Sequence, residues 1–178
     1  MIFVTVGSMM AFDRLIVSMD KWADEHSGQD VLAQIGGGNY LPTKMRWTRM
    51  LAPNLFREAV REASVIVAHA GMGSFFVAME MQKPIVMLPR IAANREHTTD
   101  HQLHTLRWLR SKPNVYAATS EGELGSAIDR AAKDDYASLG AFDKFASKEL
   151  LVNIRQFLTQ QDNVASIPMP GTIGQERR

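Results

Sequence analysis

Ser64-Val65-Ile66-Val67-Ala68-His69-Ala70-Gly71-Met72-Gly73-Ser74 decides the fold. Its first half is an apolar, largely β-branched run without polar alternation, the pattern of a strand buried on both faces. Two glycines and a serine then lead into Phe75-Phe76-Val77-Ala78-Met79-Glu80-Met81, which reads as a helix. A buried strand handed over to a helix through a tight turn is the repeating unit of a parallel sheet.

The same alternation extends in both directions. Upstream, Ile2-Phe3-Val4-Thr5-Val6 stops at Gly7, and Phe12, Leu15, Ile16 and Met19 recur at helical spacing up to Trp22. Val31-Leu32-Ala33-Gln34-Ile35 repeats the strand signal before Gly36-Gly37-Gly38. Asn39 to Ala52 is a variable region with room for one short strand, and Pro53 suits the first position of a helix through Glu62. Downstream, Pro84 to Pro89 is a strand, and a polar loop leads to a predicted helix from about Thr98 to Arg110. Val115 to Ala118 is a last strand, and Ser120 with Glu123 has capping-box spacing ahead of a helix to about Ala132. Leu150, Leu151, Ile154, Phe157 and Leu158 trace one face of a terminal helix. The expected organisation is one α/β domain over 1–159, Rossmann-like with helices on both faces of a parallel sheet, and a flexible tail over 160–178 rich in proline and glycine.

Composition narrows the function. With 20 lysine and arginine against 19 aspartate and glutamate, a net charge of +1 supplies no basic field for nucleic acid. The lack of cysteine excludes disulfides, thiolate nucleophiles and Cys-based zinc sites. No stretch approaches the ~18 apolar residues of a spanning helix, so the expected location is cytoplasmic. The first strand is not followed by a dinucleotide fingerprint, the second ends in glycine rather than a ribose-binding acid, and the phosphate-loop pattern is absent.

Ligands of such sheets bind beyond the carboxyl ends of the strands, at the loops starting at Gly7, Gly36, His69 and Pro89. The turn His69 to Ser74 lets backbone N–H groups approach an anion while the helix start favours negative charge, which suits a diphosphate. It serves equally as a plain tight turn with a serine cap, and the hexapeptide does not separate the two. In Arg95 to Gln102 polar groups are dense. His97, His101, His104 and Trp108 fall on one predicted helix side, opposite Leu103, Leu106 and Leu109. Asp, His and Gln together supply the donors and acceptors that recognise sugar hydroxyls. Histidines at i and i+4 also admit a metal, but no third ligand stands out and no Asp-x-Asp pair occurs, so neither metal nor cofactor is expected. The 11 methionines read as core filler.

Taken together, Phe3 to Ser8 with Phe12-Asp13-Arg14-Leu15, Gln34-Ile35-Gly36, His69 to Ser74, Lys83-Pro84, Pro89-Arg90, and Glu96-His97 through Asp100-His101-Gln102 resemble one family from Met1 to about Ala132. That family is the carboxyl-terminal domain of family 28 glycosyltransferases, as in stand-alone subunits of bacterial exopolysaccharide synthesis and of eukaryotic dolichol-linked N-acetylglucosamine transfer. The resemblance implies one half of a GT-B enzyme that binds a UDP-sugar. A membrane-associated partner would present a lipid-linked acceptor and hold the chain at the inner face of the membrane. The reaction implied is inverting transfer of a hexose, N-acetylhexosamine or hexuronic acid in exopolysaccharide or glycan synthesis. The alternative is a non-catalytic binding or scaffolding subunit; an epimerase would need a two-domain cleft.

By position, the resemblance puts Gly71, Met72, Gly73 and Ser74 at the diphosphate, with Gly7, Ser8, Gly36 and His69 in the same cleft. Arg90 is implied near the uracil, and Glu96, Asp100, His101 and Gln102 on the donor-sugar side. No residue is implied as catalytic base; the partner is expected to supply it. Where relatives commonly carry an acidic or amide residue to hold the ribose, this chain has Val77, with Glu80 a turn further on.

Overall fold

The computed structural model describes residues 1–134 and 146–164, with side chains described to residue 159. Six strands form one sheet: β1 (Ile2–Thr5), β2 (Val31–Gln34), β3 (Arg46–Thr48), β4 (Val65–His69), β5 (Ile85–Leu88) and β6 (Val115–Ala117), in the order β3-β2-β1-β4-β5-β6. Every pairing is parallel. Helices α1 (Asp13–Glu25), α2 (Pro53–Glu62), α3 (Met72–Glu80), α4 (His101–Leu109) and α5 (Leu124–Lys133) alternate with them. This is the Rossmann-like α/β architecture that the apolar runs predict.

Side-chain alternation along β1 builds two cores. Ile2, Val4 and Val6 point to one face, where Leu15, Ile16 and Met19 of α1 and Leu124, Ala127 and Ile128 of α5 cover the sheet. Phe3 points to the other, with Val60 of α2, Phe75 and Ala78 of α3, and Leu106 and Leu109 of α4. Phe3, Leu15 and Ile16 are completely buried, each worth about 1.5–3 kcal/mol on leaving water.

From β1 the chain steps outward through β2 and β3, and from β4 in the opposite sense through β5 and β6. The reversal lies between β1 and β4, so their carboxyl ends flank the crevice in which doubly wound sheets take ligands.

Two expected boundaries shift. Helix α4 starts at His101, not near Thr98; in the loop ahead of it Thr98 N donates to His97 Nδ1 at 2.9 Å, and the Asp100 carboxylate accepts from Ala92 N at 2.7 Å. The Ser120–Glu123 capping box does not form. Glu123 accepts instead from Thr119 N and Thr119 Oγ1, and a 3-10 turn over Glu121–Glu123 precedes α5.

The chain divides into two units, Met1–Phe142 and Asp143–Arg178. In the second, α6 (Lys148–Val164) carries the Leu150, Leu151, Ile154, Phe157 and Leu158 stripe and continues beyond the expected start of the tail at Gln160. The rest of that tail lies outside the described residues.

Candidate functional site

A cleft of about 860 Å³ opens over the carboxyl ends of β1, β2 and β4. Its floor is built around His69. The imidazole lies between two glycines: a Cβ at Gly7 would stand 2.7 Å from His69 Cε1, and one at Gly71 would overlap His69 Nε2. Gly7 also has φ +79, which L side chains rarely adopt. Both glycines are therefore needed to let the ring in. Burial, then the charge of Arg90, lowers the His69 pKa to about 4, against a weaker pull from the Thr5 backbone. The ring is neutral at pH 7, and its Nδ1 is buried without a hydrogen-bond partner among the described residues.

Helix α3 begins at the cleft. Gly71 is its N-cap and no side chain caps it, so the first N–H groups keep their donors for the cleft. Gly71, Met72, Gly73 and Ser74 all line the space, as do Gly7 and Ser8 from the β1–α1 loop. A Cβ at Gly73 would meet nothing within 4 Å, so this position faces open space. Of the two readings of the turn, the serine cap does not form, and the positive end of the helix is left open to an anion.

The β5–α4 side is different. His97, His101 and Gln102 line the cleft. The His97 and His101 rings meet edge to face at 4.4 Å, and burial, followed by the charges of His101 and Arg90, lowers the His97 pKa. His104 and Trp108 are exposed elsewhere, so only half of the predicted aromatic side faces the space. Glu96 turns inward, accepting from Arg14 Nε at 2.6 Å, Arg14 Nη2 at 2.8 Å and Ile91 N at 2.9 Å. Its pKa is lowered because these donors outweigh the cost of its burial, the largest opposing effect. Asp100 holds Ala92 N and does not line the cleft.

Arg90 lines the cleft from beneath. It is 2% exposed, and its guanidinium donates to the carbonyls of Val6, Met10, Ala11 and Glu96. Gly36 does not line the cleft; with φ +62 and its carbonyl accepting from Arg49 Nη1 at 3.2 Å, it shapes the turn after β2.

Sequence reasoning missed one wall. Met50, Leu51, Pro53 and Phe56 with Val77 form an apolar side, and Arg57 stands among them, paired with Glu80 at 3.1 Å. Gln34 lies below them, donating to Gly7 O at 3.3 Å and accepting from Leu51 N at 3.0 Å. Its signal was present in the sequence: a polar residue closing an apolar strand. Among the described residues no carboxylate lines the cleft, and no group of three His, Cys, Asp or Glu could hold a metal ion.

The fold is shared with solved glycosyltransferases. The calicheamicin glycosyltransferase CalG4 superposes with TM-score 0.55 at 15% identity, over 90% of this chain and 43% of that one. SnogD from Streptomyces nogalater gives 0.50 at 20% identity, over 89% and 39%. The fold is thus the Rossmann-like domain of the GT-B class. The model of the glycosyltransferase family 28 C-terminal domain matches residues 1–148, and the chain belongs to that family. It is also similar to UDP-N-acetylglucosamine transferase subunit ALG13 of Homo sapiens, 27% identical over 130 residues, and of Mus musculus, 26% over 128. These matches cover 66% of this chain but only 11% and 10% of those relatives.

Proposed function

We propose that the cleft binds a UDP-sugar and that the chain is the donor half of an inverting glycosyltransferase. The observation that carries this reading is the open, uncapped start of α3 facing a cleft without carboxylates among the described residues. An anion bound there meets free N–H donors and the positive end of a helix, and no fixed negative charge opposes it. In transfer, negative charge grows on the departing diphosphate as the anomeric bond breaks. Donors aimed at that position before reaction stabilise it without a metal. Gly7, Ser8 and Gly71 to Ser74 would hold the diphosphate, His101 and Gln102 the donor sugar, and the apolar wall with Val77 the nucleoside.

His69 is a poor general base, since a pKa of about 4 leaves it little affinity for a proton. We assign the base, and the acceptor site, to a second domain contributed by a membrane-associated partner that presents a lipid-linked acceptor, to which a hexose, N-acetylhexosamine or hexuronic acid is transferred. The word subunit in the names of the ALG13 relatives supports this assignment. A binding or scaffolding subunit without catalytic competence is the second reading, favoured by Val77 and by the engagement of Glu80 with Arg57. Reconstitution with the partner and lipid-linked acceptor tests the choice. Transfer that requires both chains and is lost in Gly73→Asp supports the donor half; transfer unaffected by Gly73→Asp leaves only the scaffold.

A further inference from the structure

Between the two loops that line the cleft lies a single buried guanidinium. Arg90 Nη2 donates to Val6 O and Met10 O, both at 2.7 Å, and Nη1 donates to Ala11 O, so one side chain ties down the beginning and end of the β1–α1 loop. Nη1 also reaches Glu96 O at 3.2 Å, within its own β5–α4 loop, and the Arg90 N–H donates to Gln102 Oε1 at 3.1 Å. The plane of the fork lies over the Phe12 ring, 4.7 Å from its centre. Every hydrogen-bond acceptor of the guanidinium is a neutral carbonyl; the nearby Glu96 carboxylate is bonded to Arg14. Such a planar set of donors cannot be reproduced by lysine, whose ammonium is a single point.

We propose that Arg90 is the positioning residue of the cleft, a strut that fixes the β1–α1 loop and the β5–α4 loop in one frame. The consequence rests on the donor-binding reading: Ser8 on one loop and His101 and Gln102 on the other are set at their mutual distance by this one side chain. A donor spans both, so its diphosphate and sugar contacts are coupled through Arg90. The buried charge behind the floor adds to the preference for an anion, since none of its hydrogen-bond partners neutralises it.

Arg90→Lys and Gln102→Leu test the strut by amide hydrogen exchange on the ligand-free protein and by UDP titration. In Arg90→Lys, exchange over residues 8–12 and 91–98 should quicken about tenfold or more while β1 and β4 stay protected, and UDP affinity should fall by a similar factor. If Arg90→Lys does not fold, Gln102→Leu remains decisive: Gln102 makes no hydrogen bond to the β1–α1 loop, so faster exchange there requires transmission through Arg90. Unchanged exchange in the β1–α1 loop of Gln102→Leu, or a folded Arg90→Lys with wild-type exchange and UDP affinity, overturns the proposal. A wild-type protein that binds no UDP sinks the donor reading instead, and the exchange measurement still judges the strut.

Discussion

The two sides of the cleft hold ligand-facing groups by opposite means. The β4–α3 turn, Gly71 to Ser74, offers the main-chain donors of Met72 to Ser74 and open space, and its geometry depends on side chains that are missing: no Cβ at Gly71 or Gly7, so His69 fits between them. The β5–α4 loop, Arg90 to Gln102, is crowded with polar side chains, and most of them serve the loop itself. Glu96 holds Arg14, Asp100 holds Ala92 N, and Arg90 holds four carbonyls. Polar density thus marks where a loop is locked, whereas glycine at a strand end marks where a ligand can come close.

The sharpest way to break this contrast is Gly73→Asp. The position faces open space, so the fold should survive, with an unchanged thermal midpoint. A carboxylate at the helix start should nevertheless weaken UDP binding by at least a hundredfold, about 3 kcal/mol. Wild-type affinity in the folded variant would remove the glycine turn from the site.

Acid should separate the two sides next. His69 has a folded pKa of about 4 against 6.5 unfolded, so on acidification the unfolded chain takes up the proton first. Its stabilising contribution is fully present above pH 6.5 and is lost as pH falls towards 4, by about 3 kcal/mol at most. Glu96 acts lower. Its folded pKa lies below 4.5, so its contribution is present above 4.5 and is lost as pH drops through the folded value. Denaturant unfolding of wild type and His69→Gln between pH 7 and 4.5 checks this. A flatter profile in the variant is expected, and identical slopes would show that the ring is not held neutral.

The glycine side was legible in advance because strand, tight turn and helix start are local features, written in consecutive residues. The sheet was legible for the same reason, down to the β-branched runs of β1 and β4. The β5–α4 side was legible only as polar. Whether Glu96 faces a sugar or Arg14 depends on α1, which lies 82 positions away in the chain. Arg90 is the clearest case: its acceptors are main-chain carbonyls, and carbonyls leave no mark in sequence. The apolar wall that Leu51 and Phe56 form with Val77 was missed, although Val77 itself was noticed, because Leu51 and Phe56 are ordinary apolar residues one by one and form a surface only when α2 and α3 stand side by side.

The smallest expected effect belongs to His101, which is exposed, lines the cleft and opens α4. His101→Ala should weaken UDP-sugar binding by about tenfold, the worth of one or two hydrogen bonds, while leaving UDP itself within about twofold. Gln102→Ala should lower both, since its oxygen holds Arg90 N. Equal losses of the two ligands in His101→Ala would assign that residue to the nucleotide.

Calorimetric titration of the wild-type chain with UDP, with and without a chelator, tests the central claim most directly. Binding with the same affinity in both conditions is expected, because free N–H groups and a helix start carry the diphosphate. Absence of UDP binding, or binding only with magnesium or manganese present, would contradict it.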